Sequence, residues 1–588
     1  MTPEKHGTAI GAFLERARAA GDRPFALFKA GGRYREISCA RMRERVLRCA
    51  AGLSSRGVGR ADRVAIMLTT RLEWTVADLA VMAAGAISVP VYCALTPERI
   101  AHILRDSAPK AAFVEDARVA RLFEEARKIG GIGEGMQIFG LERGAGSASL
   151  DELESMQDSA ACECIEALVE GLSGGDPATY VYTSGTTGAL KGVVVTHGMI
   201  MSEVLAAGLA FRFTHRHVGL IALPLAHVLG RMIQFYHAVH GPVLAYAESL
   251  ERLAENYLEV RPHFVCGVPR MLEKIHERVW EHLRRAGPRS RRMAQWALAV
   301  GRERSQAAMR FREIPLALRL RHAIADLVVF RRLRSRLGGR LSDFVCGGAR
   351  LSEEVSRFFH AAGIRVLEGY GLTETFAAVT ANTPGDFRLG TVGKPLSGVA
   401  IKLAPDGEIL LKGPMVFREY LNMPRETAEA FDAEGWFRTG DLGEYSRDGF
   451  LRITGRKKEM IVTAGGKNIS PQLIESELEG SPLVHNAMAY GDGRRYVTAL
   501  VAVNLEEAAK AAGIEGRDAG MLKDPRVIGL IEGHVRRCNE RLAKYETVKR
   551  FALVEGPFTV AGGELTPTFK IRREFVAEKY HDLLNSLY

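Results

Sequence analysis

Cysteine is scarce in this chain: there are eight in 588 residues, and only Cys162 and Cys164 stand close together. That argues against a disulfide framework and suits reduced thiols in a cytosol. A lone C-x-C pair also falls short of a metal-ligand set. Long apolar runs are missing as well. No stretch approaches the roughly 20 apolar residues that span a bilayer. The opening "MTPEKHGTAIGAFLERARAAGDRP" is charged throughout and lacks the apolar core of a secretory signal. No fixed-period repeat or low-complexity tract is present, which excludes solenoids and arrays. What remains is ordinary globular composition, 47% apolar and 25% charged, in a chain long enough for one large domain and at least one smaller one. A soluble, cytoplasmic protein is expected.

Acids are locally sparse. The formal charge of +11 is concentrated between Arg284 and Arg340, where only Glu303, Glu313 and Asp326 oppose the arginines. Such an excess suits nucleic acid, an anionic membrane surface or polyanionic small substrates. Within this stretch Leu316, Leu320, Ala323, Ile324, Leu327 and Val328 share one helical face, with Arg319, Arg321, Arg331 and Arg332 around it. A basic amphipathic helix of this kind can rest on an anionic bilayer. The alternative is a helix packed on its own domain.

Along the chain, β-branched runs such as "RVAIML", "AAFVED", "HFVCGV", "SDFVCGG" and "IRVLEGYG" read as buried strands. Helical stretches such as "EWTVADLAVMAAGA" and "LSEEVSRFFHAAG" separate them, and the alternation implies layered α/β with parallel sheets. From about Gly398 the texture changes to hairpins with D-G turns on a mostly antiparallel unit. A second α/β pattern follows, with a domain boundary expected near Gly455 to Lys458.

One stretch bears directly on chemistry. In "TSGTTGALKG", residues 183 to 192, an apolar strand leads into a loop of glycines, hydroxyls and one lysine. Backbone N–H groups, hydroxyls and an ammonium can converge there on a phosphate. The spacing is not that of a P-loop, because Leu190 precedes Lys191 and Gly192 follows it.

Read with its flanks, "YVYTSGTTGALKGVVVTH" resembles the phosphate-binding signature of the adenylate-forming superfamily, the acyl-CoA synthetases and their relatives. Further motifs of that family follow in its order: "LPLAHVLGR" (223 to 231), "GGAR" (347 to 350), "GYGLTET" (369 to 375), "GWFRTGDLGEYSRDGFLRITGRKKEMIVTAGGK" (435 to 467) and "GELTPTFKIRR" (563 to 573). The resemblance spans nearly the whole chain. It implies the adenylate-forming enzyme fold, with an N-terminal domain at 1–457 of layered α/β subdomains plus a small β-rich subdomain. That domain would carry the arginine-rich helical insertion at about 281–340, and 458–588 would form a smaller, mobile α+β C-terminal domain.

The resemblance also implies roles. Thr183, Ser184, Gly185, Thr186, Thr187 and Lys191 would embrace the β- and γ-phosphates of ATP; Leu190 stands where the family commonly has proline. Tyr370 offers a face on which adenine can stack, and within the same nucleotide motifs Gly347, Gly348, Ala349 and Gly371 would let the nucleotide approach the backbone. Thr373 would donate to the α-phosphate and Glu374 would hold Mg2+, a hard cation that prefers oxygen. Asp441 would accept from the ribose hydroxyls, with Arg456 nearby. Lys570 is the expected catalytic cation between the substrate carboxylate and the α-phosphate, and Lys458 matches the hinge about which the small domain rotates. Gly465 and Gly466 would then line the pantetheine path of coenzyme A. His227 borders the acyl and thiol sites, and Gly230 stands where many long-chain members carry glutamate.

The span from 223 to 241 holds no Asp or Glu to pair with a substrate amine, which points to an uncharged acyl tail. Only 18 residues follow Lys570, so the acyl group is expected to pass to a free acceptor. "RPHFVCGVPRMLEKIHERVW" and the insertion after it resemble the long-chain fatty acyl-CoA ligases. The expected activity is therefore conversion of a medium- or long-chain fatty acid to acyl-AMP and then to acyl-CoA, with ATP, Mg2+ and coenzyme A. A fatty acyl-AMP ligase serving an acyl carrier protein is the alternative. No nucleic-acid partner is expected, and peripheral contact with the inner face of the membrane would run through the basic insertion.

Overall fold

Val64, Ala65, Ile66 and Met67 are buried on both faces of the strand Arg63–Met67. A strand covered on both sides carries an unbroken apolar run rather than an alternating one, as parallel strands between helical layers do. The computed structural model describes residues 7–588 except 134, 143, 144, 147, 156, 157, 185–189, 310–313, 465, 466, 515–517 and 567–569. Two large sheets organise its first three-quarters. One has seven strands, in the order Ala148–Ser149, Gln137–Gly140, Ala111–Val114, Arg63–Met67, Ile87–Pro90, Pro177–Ser184 and Leu190–Thr196. The other has nine, in the order Lys394–Pro395, Ala377–Ala381, Arg365–Leu372, Asp343–Cys346, Phe264–Gly267, Val218–Ile221, Val243–Tyr246, Pro24–Ala30 and Arg33–Ser38.

Both sheets are parallel at their centres, but not throughout. Pro177–Ser184 pairs antiparallel with Leu190–Thr196, and the ends of the nine-stranded sheet are antiparallel too. The expected parallel sheets are thus mixed ones, because short hairpin connections at the edges permit only antiparallel pairing. Helix Leu72–Ala83 is buried at every position except Glu73. An apolar surface all round marks a helix enclosed by other layers. Its side chains belong to one apolar cluster that joins both sheets and extends to Leu451.

The predicted hairpin unit is a four-stranded antiparallel sheet, Ala400–Leu403, Glu408–Lys412, Phe437–Tyr445 and Leu451–Arg456. Beyond it, Val484–Tyr490, Val497–Val503 and Val548–Glu555 form a small sheet against helices Pro471–Glu479 and Pro525–Asn539. Its apolar clusters contain no residue before Ile461.

The basic insertion folds as helices Pro269–Arg285, Pro288–Met309, Leu316–Ala325 and Arg331–Arg336, the last two joined by the π-helical turn Asp326–Phe330. Leu318, Ala325 and Phe330 are buried, whereas Leu316, Leu320, Ile324 and Leu327 are between 56% and 72% exposed. The helix packs on its domain, but through a different face from the predicted apolar one. The wide turn shifts the register so that Phe330 joins the buried side. Among the described residues no helix is long and apolar enough to cross a membrane, and all eight cysteines are unpaired.

Candidate active site

The glycine-rich stretch is flanked by two strands that pair antiparallel. Thr183 pairs with Lys191 and Ser184 with Leu190, which fixes the two sides of the loop. Gly185, Thr186 and Thr187 lie outside the described residues, as do Gly465 and Gly466. Thr183 and Lys191 line a cavity of about 570 Å3, and Lys191 Nζ lies 4.9 Å from the centroid of the Tyr420 ring. The strand leading to this loop is anchored from behind. Fully buried Arg231 donates to Asp78 at 2.6 Å, to Ser88 at 3.0 Å and to Thr179 on that strand at 2.5 Å. A buried guanidinium needs such a paired setting, and it ties the helix that begins after His227 to the phosphate loop.

Parallel strands Phe264–Gly267, Asp343–Cys346 and Arg365–Leu372 end side by side, and their C-terminal loops form the opposite wall. Carboxyl ends of strands are where open α/β sheets bind ligands. Gly347, Gly348, Tyr370 and Gly371 line this cavity, and Ala349 lines the larger one beside it. Gly348 has φ +86°, a conformation that favours glycine. The Tyr370 hydroxyl donates to Asp441 Oδ2 at 2.8 Å, and Arg456 Nε donates to Asp441 Oδ1 at 2.8 Å. Each carboxylate oxygen keeps a lone pair for a further donor. Tyr370, Asp441 and Arg456 therefore form one connected group, assembled from two sheets.

Thr373, Glu374 and Thr375 make a single 3-10 turn. Thr373 and Glu374 both line the cavity. Glu374 Oε1 accepts from the Tyr420 hydroxyl at 2.8 Å, and burial, with Glu374 adding, keeps that phenol protonated by raising its pKa. Tyr420 thus touches both Lys191 and Glu374, yet nothing in the local sequence reading singled it out. A single carboxylate fits Mg2+, which typically takes one or two carboxylates and completes its shell with water and substrate phosphate oxygens. Among the described residues there is no cluster of three or more His, Cys, Asp or Glu that would form a dedicated metal cage.

Lys570 reaches the same cavity from the small domain, together with Lys458. It is open to the cleft yet ringed by protein. Burial, then the Arg456 guanidinium, lowers its ammonium pKa, against the pull of Asp441, Glu459 and Glu374. Arg573, three residues on, binds Glu475 at 2.5 Å and reaches Glu459 in the 3-10 turn Lys457–Glu459 at 3.6 Å. Lys457 in that turn pairs with Asp406 at 2.5 Å and Glu408 at 3.0 Å on the hairpin unit. Arg99, which the sequence reading also missed, adds a cation to the cavity wall from helix Pro97–Ser107.

His227 caps helix Val228–His240, its Nδ1 accepting from the Leu229 amide at 3.2 Å. Burial, with Lys570 adding, depresses its pKa to about 4, so the ring is neutral near pH 7. It borders both the smaller cavity and a larger, mainly apolar one of about 2430 Å3. The second cavity runs past Leu253, Met271 and Leu283 to Met293, Val328 and Leu333 of the insertion. At Gly230 a Cβ would stand 2.4 Å from the Pro224 carbonyl oxygen. This backbone approach leaves no room for a larger side chain at Gly230.

A two-sheet body and a small domain whose Lys570 reaches the cavity lined by Thr183 and Lys191 make an adenylate-forming architecture. The model for AMP-binding enzymes matches residues 13–421, and that for the AMP-binding enzyme C-terminal domain matches 458–588. The chain belongs to the AMP-binding enzyme family. It is 36% identical over 569 residues to the long-chain-fatty-acid–CoA ligase FadD15 of Mycobacterium bovis, covering 95% of this chain and 93% of the relative. To the long-chain-fatty-acid–CoA ligase ACSBG2 of Gallus gallus it is 30% identical over 633 residues, covering 100% and 82%. The adenylation domain of a carboxylate reductase from Mycobacterium chelonae shares the fold, with a TM-score of 0.75 at 22% identity, covering 99% of this chain and 91% of that one.

Proposed function

We propose that this chain activates a medium- or long-chain fatty acid with MgATP and transfers the acyl group to coenzyme A. The observation that carries the reading is the meeting of Lys191, Thr373, Glu374, His227 and Lys570 on one cavity, beside a mainly apolar cavity of about 2430 Å3. In the first step a carboxylate oxygen attacks the α-phosphorus and the bond to the β-phosphate oxygen breaks, giving acyl-AMP and pyrophosphate. Lys570 lies between the two anions that must meet, and Lys191 steadies the departing pyrophosphate. Mg2+, held by Glu374 and the phosphates, supplies further charge neutralisation when bound. Tyr370, Asp441 and Arg456 orient adenine and ribose. In the second step the thiol of coenzyme A attacks the acyl carbonyl carbon, AMP leaves with the electron pair of the broken bond, and the thiol proton is lost to the medium.

We assign the domain boundary to 457/458 and the hinge to Lys458, in keeping with the separate apolar clusters of the small domain. We further assign peripheral contact with an anionic bilayer to the insertion, supported by its exposed apolar stripe.

Incubation with ATP, Mg2+, palmitate and coenzyme A is expected to consume free thiol and form AMP; accumulation of acyl-AMP regardless of coenzyme A would overturn the acceptor. Lys570→Ala is expected to lower acyl-AMP formation by about a hundredfold or more. The variant should still bind ATP and still convert supplied acyl-AMP to acyl-CoA. Equal loss of all three would assign Lys570 to the fold alone.

A further inference from the structure

Glu203, on helix His197–Phe211, is fully buried. Its Oε1 accepts the backbone N–H of Ala378 at 3.1 Å, and its Oε2 has no partner among the described residues. Among the described residues no cation is paired with it, and burial pushes its pKa well above the ordinary carboxylate range, favouring the protonated form. Packing alone does not explain it, because an aliphatic side chain would fill the space without the cost of a buried polar group.

Its one partner lies just past an unusual reversal. Phe376 has φ +54° and Ala377 φ +136°, two successive non-glycine residues in the region that side chains rarely adopt. The reversal follows the turn Thr373–Thr375 directly and sends the chain back as strand Ala377–Ala381 against Arg365–Leu372. It is compressed from below: a Cβ on Gly371 would lie 1.5 Å from the Ala377 carbonyl oxygen, which accounts for glycine there. Thr375 Oγ1 lies 2.8 Å from that same oxygen and accepts the Leu372 amide at 3.0 Å, while the Phe417 amide donates to the Glu374 carbonyl at 2.7 Å. The strand register shifts at Tyr370/Gly371. Beside that irregularity Ala378 stands in register with Gly371, and its amide donates to Glu203.

We propose that Glu203 is a positioning residue for adenylation: its carboxyl oxygen, accepting the Ala378 amide, pins the strained reversal and so fixes Thr373 and Glu374 on the nucleotide cavity. The inference rests on the nucleotide-facing role of those two residues. The part that matters is an acceptor oxygen at this site, so glutamine substitutes for glutamate and an aliphatic residue does not.

The test compares Glu203→Gln with Glu203→Leu and Glu203→Met in the full chain. Glu203→Gln is expected to keep the adenylation kcat within about twofold, and the aliphatic variants to lower it by about tenfold or more. Conversion of supplied acyl-AMP with coenzyme A should stay within about twofold in all three, and thermal midpoints should not fall in the aliphatic variants. Hydrogen exchange across residues 371–381 should accelerate in the aliphatic variants only. Unchanged exchange and kcat in Glu203→Leu would overturn the proposal, as would equal damage by glutamine or failure of both aliphatic variants to fold. If the wild-type chain forms no acyl-AMP, the proposed function fails by itself, and the exchange contrast still reports whether the pin exists.

Discussion

Tyr420 stands between two opposite charges. Its hydroxyl donates to Glu374 Oε1 at 2.8 Å and its ring faces Lys191 Nζ at 4.9 Å. A bond to a charged group is worth about 1.5–3 kcal/mol, and a cation over an aromatic face about 0.5–2 kcal/mol. Tyr420→Phe removes the first and keeps the second. It is expected to lower kcat/KM for MgATP about tenfold, measured by initial rates of pyrophosphate release, and Tyr420→Leu to lower it further. Equal rates for phenylalanine and wild type would mean that Glu374 is oriented without it. The residues that the sequence exposes are those whose partners are chain neighbours, such as Thr373 and Glu374 in "GYGLTET". Tyr420 meets Glu374 across 46 residues and Glu203 meets Ala378 across 175. Contacts over such separations leave no local pattern to read.

At the scale of elements, strands were legible wherever burial on both faces forces an unbroken apolar run, as at Arg63–Met67 and Asp343–Cys346. The hairpin at 400–412 was legible from its D-G turn. The seating of the insertion helix was not, because a 3.6-residue period carries no sign of the π-helical turn at Asp326–Phe330. Leu316, Leu320, Ile324 and Leu327 face outward, and neither Arg319 nor Arg331 forms an ion pair with a described residue. The stripe and its cations suit an interfacial helix. Replacing the four apolar residues with serine is expected to reduce co-flotation with phosphatidylglycerol vesicles by about tenfold while sparing adenylation of a water-soluble acid. Raising salt should weaken the wild-type binding by screening the arginines. Undiminished flotation of the serine variant would remove the stripe from the contact.

For the molecule as a whole, the ion pairs across the two domains include long ones among the described residues. Lys510 lies 3.7 Å from Glu281, and Arg541 lies 3.9 Å from Glu354. Apposition of the domains also buries acid. Glu479, at the end of helix Pro471–Glu479, shares the large cavity with Glu273 of helix Pro269–Arg285. Burial pushes Glu479 up to about 8, with Glu273 and Glu475 adding, while the Ala487 amide and Arg270 hold it down. Burial raises Glu273 as well. Rotation of the small domain would return both acids to water and to ordinary carboxylate values. A group whose pKa is raised in one arrangement stabilises that arrangement most below its ordinary pKa, and the contribution fades as pH climbs through the raised value. The apposed arrangement, with Lys570 on the nucleotide cavity, is therefore expected to weaken as pH rises from the ordinary carboxylate range to about 8, and to level off above it. Acyl-AMP formation should fall over that range relative to conversion of supplied acyl-AMP, with both steps measured at each pH. Glu479→Gln cannot ionise and should flatten the ratio; an unchanged slope in that variant would show that the domain equilibrium is set by other groups.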